Sequence, residues 1–322
     1  MNKKINILIT GGAGFIGSNL VKYFIDDDRF NKIKVLDDLS NGSLSNIEKY
    51  LEHPKFEFIK GDIRNYDLCL NSTKGIDVIS HQAALGSVPR SIENPILSTE
   101  VNITGTVNLL NAAVKNNIKK VILAFSSSTY GDLKTLPKYE SKIGNPMSPY
   151  AVTKLSIEKF AQVFGKVYDL NWIGLRYFNI FGPNQDPENP YAAVIPIFCK
   201  NFIHNQEINV NGIGDISRDF TYIENVLFMN ELAIFNKNKL GDNQIYNCAC
   251  GESYSLNDII KILKKISKKN PKVKYGKARK GDVKHSMASI MKAKKNLGYF
   301  PKVFFEEGLE KTFKFYKKKF EK

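Results

Sequence analysis

The segment ILITGGAGFIGSNL, residues 7–20, joins an apolar strand to a helix-like pattern through a turn with regularly spaced glycines. Gly11 permits the tight turn, Gly14 lets the backbone approach a pyrophosphate, and Gly17 allows the helix to pack closely on the sheet. The first amides of that helix then face the phosphates. The G-x-x-G-x-x-G spacing differs by one residue from G-x-G-x-x-G, and a purely structural turn is the alternative. The strand–turn–helix context favours a dinucleotide-binding βαβ unit.

An acidic pair, Asp37 and Asp38, ends the second predicted strand. A carboxylate at Asp37 suits the hydroxyls of an adenosine ribose and would repel a 2′-phosphate. No lysine or arginine follows it before Lys49, so we expect NAD rather than NADP. Asp62, after the third predicted strand, is placed to contact adenine. A solvated acid in a turn is the alternative for Asp37.

Strand and helix patterns alternate through the first half of the chain. INILIT, KIKVLDDL, FEFIKGD, IDVISHQAA and KKVILAFSSS are typical of strands, and a helical stretch covers about residues 98–115. A further helix from about Pro149 precedes the strand WIGLRYFN. This order predicts an α/β fold with a doubly wound, Rossmann-like parallel sheet.

The pattern changes past Asn179, where a loop rich in proline and asparagine precedes short helices and strands. We therefore predict an NAD-binding Rossmann-like domain over residues 1–178. Residues 179–322 are predicted to form a smaller α/β substrate-binding domain that is interleaved with the first. The crevice between them is where open α/β sheets bind ligands.

Composition excludes several classes of protein. No apolar run reaches the roughly 18 to 20 residues of a membrane-spanning helix, and the first residues are expected to hold no secretory signal. Four cysteines without disulfide or zinc spacing predict inert thiols, no metal and a cytoplasmic location. The formal charge of +15 comes largely from lysines spaced between apolar residues. That spacing indicates solvated helix faces rather than a nucleic-acid or membrane surface.

A tyrosine and a lysine stand four residues apart at the start of the helix predicted from Pro149. Residues at i and i+4 share a helix face, so Tyr150 and Lys154 can point at one cofactor. A free tyrosine has a pKa of about 10, and lowering it by about 3 costs about 4 kcal/mol. An ammonium about 4 Å away supplies about 4 kcal/mol at an effective dielectric constant of about 20. The spacing predicts a tyrosine base tuned by a lysine, although Tyr-x-x-x-Lys also arises by chance.

A series of motifs resembles the extended short-chain dehydrogenase/reductase family. The motifs are TGGAGFIGSNL, LDDLSNG, GDIRN, HQAA, SSSTYGD, SPYAVTK, LRYFNIFGP, RDFTYIENV and ARKGDVKHS. Within that family the chain is most similar to the nucleotide-sugar 4-epimerases. HQAALGSVPRSIENP and QDPENPYAAVIP resemble the subgroup that acts on UDP-N-acetylhexosamines. The resemblance implies a bound NAD and a UDP-sugar substrate.

The resemblance also implies catalytic residues. Tyr150 matches the base of the family and Lys154 its helper. The catalytic hydroxyl lies among Ser126, Ser127 and Ser128. Counting back from the YGD motif favours Ser126, and Ser128 stays an alternative.

Binding residues follow from the same resemblance. Implied contacts to NAD are Gly11, Gly14, Phe15, Ile16, Gly17, Asp37, Asp38, Ser40, Asn41, Gly42, Asp62, Ile63, Gln82, Ala83, Ala84, Asn102, Tyr150, Lys154 and Tyr177. Implied contacts to the UDP-sugar are Gly86, Ser87, Arg90, Ser126, Ser127, Ser128, Tyr150, Asn179, Gln185, Ala193, Val194, Arg218, Arg279, Asp282 and Ser286.

Four of these residues carry a physical argument as well. The guanidinium groups of Arg218 and Arg279 suit the oxygens of a diphosphate, with surface ion pairs as the alternative. Ser286 stands where glucose-specific relatives carry a large tyrosine, and Gly86 where some carry a lysine. Small residues at both positions leave room for an N-acetyl group on the sugar.

The residues beside the serines bear on the type of reaction. Dehydratases of the family carry an acidic pair there, whereas this chain has Thr129 and Tyr130. The resemblance therefore implies reversible 4-epimerisation of UDP-GlcNAc and UDP-GalNAc, and of UDP-Glc and UDP-Gal as further substrates, through a 4-keto intermediate. The alternatives are 4-epimerisation of the corresponding uronic acid, dehydration, and an idle NAD-binding partner. The family also implies a homodimer, through a four-helix bundle formed by the helix before KKVILAF and the helix with Tyr150.

Overall fold

A computed structural model describes residues 4–238, 241–277 and 284–321. Its strands are β1 (Ile5–Thr10), β2 (Phe30–Asp37), β3 (Phe56–Lys60), β4 (Val78–His81), β5 (Lys120–Ser126), β6 (Trp172–Tyr177), β7 (Ile180–Phe181), β8 (Ile208–Val210), β9 (Ser217–Arg218), β10 (Thr221–Tyr222), β11 (Gln244–Cys248), β12 (Tyr254–Ser255) and β13 (Val273–Tyr275). Its α-helices are α1 (Phe15–Phe24), α2 (Tyr66–Ser72), α3 (Val88–Glu93), α4 (Pro95–Thr99), α5 (Gly105–Lys115), α6 (Pro149–Val167), α7 (Val194–Ile203), α8 (Ile223–Phe235), α9 (Leu256–Ser267), α10 (Met291–Leu297) and α11 (Phe305–Phe320).

Seven parallel strands form the central sheet in the order β3-β2-β1-β4-β5-β6-β11. Helices cover both faces of this sheet, so side chains on both sides of a strand are buried. In β1, Ile7 and Ile9 enter one hydrophobic core while Leu8 enters the other. The predicted doubly wound, Rossmann-like α/β fold is confirmed. The strand order reverses between β1 and β4, which places a binding crevice at the carboxyl ends of these strands.

Shorter strand pairs follow β6. β7 pairs with β10 and β8 with β13 in parallel, and β9 pairs with β12 antiparallel. β11 then returns to the central sheet beside β6. The division into residues 1–178 and 179–322 stays a prediction, and β11 is a strand of the main sheet that lies after its boundary.

The helical stretch expected over residues 98–115 is divided in the structure. α4 is followed by a π-helical turn, Glu100–Thr104, before α5 begins. Asn102 lies in this turn, and its buried side chain bonds the backbone of Leu85. Widened turns of this kind are frequent at functional sites.

The four cysteines are buried and unpaired. Burial raises the pKa of Cys69 and of Cys250 to about 12, so these thiols stay protonated near neutral pH. Within the described ranges, no cluster of three or more histidine, cysteine, aspartate or glutamate side chains is placed to hold a metal ion. No helix in the same ranges has both the length and the apolar character that crossing a bilayer requires.

Candidate active site

A cavity of about 890 Å³ lies where the central strands end. The predicted site residues that line its described wall are Gly11, Gly14, Phe15, Ile16, Gly17, Asp37, Asp38, Ser40, Asn41, Gly42, Asp62, Ile63, Gln82, Ala83, Ala84, Gly86, Ser126, Ser127, Ser128, Tyr150, Lys154, Tyr177, Asn179, Arg218 and Ser286. We call the part around Gly11, Gly17 and Asp37 the glycine end. The part around Asn179, Arg218 and Ser286 is the arginine end.

The glycine end is made of bare backbone. Gly11 has φ of +67°, and a Cβ there would lie 2.7 Å from the nitrogen of Ala83. A Cβ on Gly17 would lie 2.1 Å from the oxygen of Gly11. Gly14 caps the start of α1 in an extended conformation, so the first amides of that helix face the cavity edge. A cradle that no side chain can enter fits the pyrophosphate of NAD.

Asp37 is buried behind this turn. Its carboxylate accepts hydrogen bonds from the amides of Ala13 at 2.9 Å and Leu39 at 2.8 Å. Burial raises its pKa, and the backbone donors act in the opposite direction. Each carboxylate oxygen keeps a further lone pair for a ribose hydroxyl. Asp38 is exposed and accepts from the amide and hydroxyl of Ser40 at 2.9 and 2.7 Å.

Asp62 is held by Arg64 at the edge of the cavity. Its carboxylate accepts from the amide and the Nε of Arg64, both at 2.8 Å. Burial raises its pKa, but the bonds from Arg64 outweigh burial and the net shift is downward. Arg64 also bonds Glu100 at 3.0 Å. Asp62 is therefore a fixed anion in the wall.

Gln82 and Tyr177 form one network at the bottom of the cavity. The hydroxyl of Tyr177 donates to Oε1 of Gln82 at 3.2 Å and accepts from Nδ2 of Asn230 at 2.9 Å. The Nε2 of Gln82 donates to Ser80 at 2.9 Å. These bonds fix two predicted cofactor contacts on neighbouring parts of the central sheet.

Tyr150 lies in the first turn of α6, which begins with Ser148 as its N-cap and Pro149 at N1. The hydroxyl of Ser126, at the end of β5, accepts from the amide of Ser128 at 3.1 Å and lies near the phenol of Tyr150, whose pKa it lowers against the effect of burial. The hydroxyl of Ser128 is buried and has no hydrogen-bond partner among the described residues. Of the three serines, Ser126 is thus the one that acts on the pKa of Tyr150.

Lys154 lies one turn further along α6. Its ammonium donates to the carbonyl of Ala124 at 2.8 Å and lies 5.9 Å from the centre of the Tyr150 ring. Burial lowers its pKa to about 8, opposed by Glu158. Burial also raises the pKa of Tyr150, opposed by Ser126. Burial thus outweighs the effect of Ser126 on the pKa of Tyr150.

The arginine end is built from side chains on loops and short strands. Asn179, with φ of +36°, donates to the carbonyl of Asp219 at 3.1 Å. Arg218 bonds the carbonyl of Ser217 at 2.9 Å. Ser286 lies in the wall beside them. A Cβ placed on Gly86, also in the wall, would meet no atom of the described residues within 4 Å.

Two further residues that were predicted to contact ligands form hydrogen bonds within the protein around the described cavity wall. Asn102 bonds the amide of Leu85 at 2.8 Å and the hydroxyl of Thr153 at 3.1 Å. Gln185 ties its own loop together through the carbonyl of Ile180 at 3.0 Å. Both amides are therefore engaged by the protein itself.

Ser87 and Arg90 lie at α3. The hydroxyl of Ser87 caps that helix by accepting from the amide of Arg90 at 3.2 Å. The guanidinium of Arg90 donates to Asn41 at 3.0 Å and lies 4.7 Å from the ring centre of Tyr191. Arg90 thus joins α3 to the loop before α7.

Ala193 is the N-cap of α7 and Val194 its first residue. Arg279 and Asp282 lie outside the described residues.

Two residues that line the wall, Lys138 and Tyr130, were not predicted as site residues. Lys138 is buried, and its ammonium donates to the carbonyl of Leu133. A lysine in a loop is ordinarily exposed to solvent, so the sequence does not predict that Lys138 is buried. Tyr130 follows the serines and donates to Asn247 at 2.6 Å. Its place in the YGD motif was the signal that could have found it.

Known proteins resemble this chain along nearly its whole length. A family model described as the NAD dependent epimerase/dehydratase family matches residues 7–249. A putative UDP-glucose 4-epimerase of Methanocaldococcus jannaschii is 35% identical over 95% of this chain and 96% of its own. A UDP-N-acetylglucosamine 4-epimerase from Methanobrevibacter ruminantium M1, solved with UDP-N-acetylmuramic acid, is 37% identical (TM-score 0.91, 98% of this chain and 99% of its own). A UDP-glucuronic acid 4-epimerase from Bacillus cereus, solved with UDP-glucuronic acid and NAD, is 32% identical (TM-score 0.91, 98% and 99%).

Proposed function

The chain belongs to the NAD dependent epimerase/dehydratase family, and from this premise we propose that it is a UDP-sugar 4-epimerase that acts on a UDP-N-acetylhexosamine. The carrying observation is that Ser126, Tyr150 and Lys154 meet in one cavity, between the glycine cradle and Arg218. Relatives that cover the same length are UDP-sugar 4-epimerases by name.

The family depends on NAD, and the residues at the glycine end are those that would hold it. Gly11 and Gly17 leave the cradle for the pyrophosphate, and Asp37 offers its free lone pairs to a ribose. Bound NAD⁺ supplies a hydride acceptor for the sugar carbon and later a donor to it. Its positive charge is of the kind that Tyr150 needs to ionise against the cost of burial.

Tyr150 is the proposed base. As a phenolate it removes the proton of the 4-hydroxyl group while the sugar is oxidised at C4. The ammonium of Lys154 stabilises the phenolate, and the hydroxyl of Ser126 donates to the oxygen on C4 as charge develops there. The 4-keto sugar turns about its diphosphate, which Arg218 holds, and Tyr150 returns the proton when the opposite face is reduced. The result is inversion at C4 with no net redox change.

The residues after Ser126 favour epimerisation over dehydration. Ser127, Ser128, Thr129 and Tyr130 follow it, and Thr129 donates to the carbonyl of Ser126 at 2.9 Å. The first acid after Ser126 is Asp132, which is exposed and bonds Asn145 at 2.7 and 3.0 Å. Expulsion of water from a sugar needs an acid beside the reacting carbon. The acid here is turned toward Asn145.

The proposed 2-acetamido substrate is supported by open space. Ser286 offers a short side chain in the wall, and a Cβ at the position of Gly86 would lie more than 4 Å from every atom of the described residues. A UDP-N-acetylglucosamine 4-epimerase is among the similar structures. An opened pocket admits a larger substituent but rejects a smaller one only weakly, so UDP-Glc and UDP-Gal are expected as poorer substrates.

The test is incubation of the purified protein with UDP-GlcNAc in the absence of added cofactor, followed by proton NMR. We expect UDP-GalNAc to form until an equilibrium is reached, and the same mixture to form from UDP-GalNAc. Release of NAD on denaturation measures the cofactor that was bound. A protein with NAD bound that interconverts no UDP-hexosamine would refute the proposal.

A 4-epimerase for the uronic acid form of the sugar is the second candidate. The observation in its favour is Lys138, a buried cation in the cavity wall, because a carboxylate on the sugar would compensate a buried positive charge. The similar Bacillus cereus enzyme is named for UDP-glucuronic acid. Turnover of UDP-GlcNAc and of its uronic acid, compared at equal concentration, decides between the two substrates.

A homodimer formed through α5 and α6 is part of the proposal. α6 exposes a row of apolar side chains, with Val152, Val163 and Val167 each about half exposed (49%, 52% and 62%). An apolar row on a helix surface is typical of a buried helix–helix contact. Light scattering on the purified protein should give twice the mass of the chain, and a monomer would refute this assembly.

A further inference from the structure

A buried ion pair stands behind the catalytic lysine. The side chains of Glu158 on α6 and Arg176 on β6 are 2% and 3% exposed. The Nε of Arg176 donates to Oε1 of Glu158 at 2.8 Å, and its Nη2 donates to Oε2 at 2.7 Å. Removing two charges from water costs about as much as their attraction returns, so a buried pair is weak evidence for a stabilising role alone. The position of this pair on α6, one turn after Lys154, indicates another role.

Tyr150, Lys154 and Glu158 follow one another at intervals of four residues along α6. They therefore share one face of the helix, in the order phenol, ammonium, carboxylate. Lys154 reaches the carbonyl of Ala124 and the face of the Tyr150 ring. Both oxygens of Glu158 are bound by Arg176, so its charge acts on Lys154 through space and its oxygens are held away from the proton of the lysine.

Two charged residues lie near the Arg176 side of the pair: Arg176 donates to the backbone carbonyl of Glu140 at 3.2 Å, and Lys292 has its pKa lowered by burial, raised by Glu140 and lowered by Arg176. Two further titratable groups close to Lys154 or Arg176 are neutral. His81 on β4 is buried between the hydroxyls of Thr10 and Thr106, and burial together with Lys154 lowers its pKa to about 3. Tyr130 lies with its ring 4.8 Å from the guanidinium of Arg176, and burial raises its pKa to about 12. Among the described residues, Glu158 is the carboxylate that supports the charge on Lys154.

We propose that Glu158, held in place by Arg176, is a positioning residue that keeps the ammonium of Lys154 charged beside Tyr150 during the reaction. Without it, the desolvated lysine gives up its proton more readily, and a neutral amine cannot stabilise a phenolate. The consequence for the rate rests on the proposed function. The effect on Lys154 itself does not.

Two double variants test this. Glu158→Gln with Arg176→Met removes both charges, so no unpaired buried charge is left behind. The matched control is Lys120→Met with Asp242→Asn, which removes a second largely buried pair (9% and 15% exposed, 3.0 Å) near the start of β5. Thermal unfolding and NAD content are measured for both, so that loss of fold or cofactor is seen directly.

The primary measurement is NMR titration of the purified proteins carrying [ε-¹³C]lysine. The signal of Lys154 is identified by its absence in Lys154→Met, and it should stand apart because burial lowers the pKa of this lysine to about 8. We expect its midpoint to fall by about one pH unit in the Glu158/Arg176 variant. The midpoint should stay where it is in the Lys120/Asp242 control.

The secondary measurement is the rate of epimerisation against pH. With a midpoint lower by one unit, the protonated fraction of Lys154 falls about fivefold at about pH 8 and less than twofold at about pH 6.5. The rate should follow that fraction in the Glu158/Arg176 variant. In the control variant, the pH profile should match the wild type even if the melting temperature falls.

The outcomes separate the two proposals. An unchanged Lys154 midpoint in the Glu158/Arg176 variant, with a lowered melting temperature, would show that the pair only joins α6 to β6 and would overturn the inference. If the wild type converts no UDP-sugar, the proposed function fails while the NMR titration still decides the role of Glu158.

Arg176→Lys gives a second variant, since it keeps a positive charge opposite Glu158. A Lys154 midpoint close to that of the wild type is expected there, and a fall as large as in the double variant would count against Glu158 as the source of the effect.

Discussion

The glycine end and the arginine end of the cavity are built by different means. At the glycine end the wall is backbone, and Gly11 and Gly17 have no room for a Cβ. Asp37 is tied to the same turn through the amide of Ala13. The contacts of Gly17 with Gly11 and of Asp37 with Ala13 lie within one βαβ unit, and Gly11 also packs against the backbone of Ala83 after β4.

At the arginine end the wall is side chains from separate segments. Asn179 follows β6, Arg218 lies in β9, and Ser286 lies between β13 and α10. Gly86, also in the wall, has room for a Cβ, because no atom of the described residues would lie within 4 Å of it. We therefore expect the glycine end to tolerate little change, whereas single substitutions at the arginine end can alter which ligand fits.

Tyr150 lies between the two ends, and Tyr150→Phe is expected to have the largest effect. Loss of the phenol removes the base, so the rate should fall by about a thousandfold or more, while the NAD content stays at the wild-type level. The rate is measured by NMR with UDP-GlcNAc. The control is Tyr139→Phe, since Tyr139 is 52% exposed. A Tyr150→Phe variant that retains more than about a tenth of the wild-type rate would contradict the assignment.

Two glycine substitutions in the cavity wall are expected to differ in their effects. In Gly17→Ala the new methyl group meets the oxygen of Gly11 at 2.1 Å, so the free energy of unfolding should fall by about 1–3 kcal/mol or more. Bound NAD should be lost as well. In Gly86→Ala the methyl group meets no atom of the described residues within 4 Å, and the free energy of unfolding should change by less than about 0.5 kcal/mol. Denaturant titration and NAD release measure both variants, and equal effects at the two positions would contradict the difference in packing.

A bulky residue at the arginine end should change the substrate rather than the fold. In Ser286→Tyr the ring fills the space proposed for the N-acetyl group. Turnover of UDP-GlcNAc should fall about 10- to 100-fold, with that of UDP-Glc within about threefold of wild type. Competition between the two substrates in one reaction gives the ratio directly. Parallel losses for both would place the 2-substituent elsewhere.

The elements that could be predicted from sequence are those whose geometry is local. The glycine turn between β1 and α1 and the spacing of Tyr150 and Lys154 each depend on neighbours within a few residues. The strand–helix alternation likewise predicted the parallel sheet. Local backbone geometry is what a one-dimensional pattern encodes, so these predictions needed no knowledge of long-range contacts.

Contacts between residues that lie far apart in the sequence could not be predicted. The side-chain amides of Asn102 and Gln185 form hydrogen bonds within the protein. The residues next to them in the sequence do not predict those partners. The sequence left the catalytic serine open among three, and the proposal of Ser126 rests on its effect on the pKa of Tyr150. Glu158 and Arg176 lie on different elements. From the sequence, each charged residue taken alone would be predicted to lie at the surface. Pairings of this kind exist only once α6 packs on the sheet.

In the proposed reaction one cavity holds the cofactor at the glycine end and the sugar at the arginine end, so that hydrogen leaves C4 and returns to it. Conversion of UDP-GlcNAc that carries deuterium at C4, by the purified protein in ordinary water, tests this directly. We expect UDP-GalNAc that keeps its deuterium at C4, because the label passes to bound NAD and back without meeting solvent. A product with hydrogen from solvent at C4, or no product from protein with NAD bound, would refute the proposed reaction.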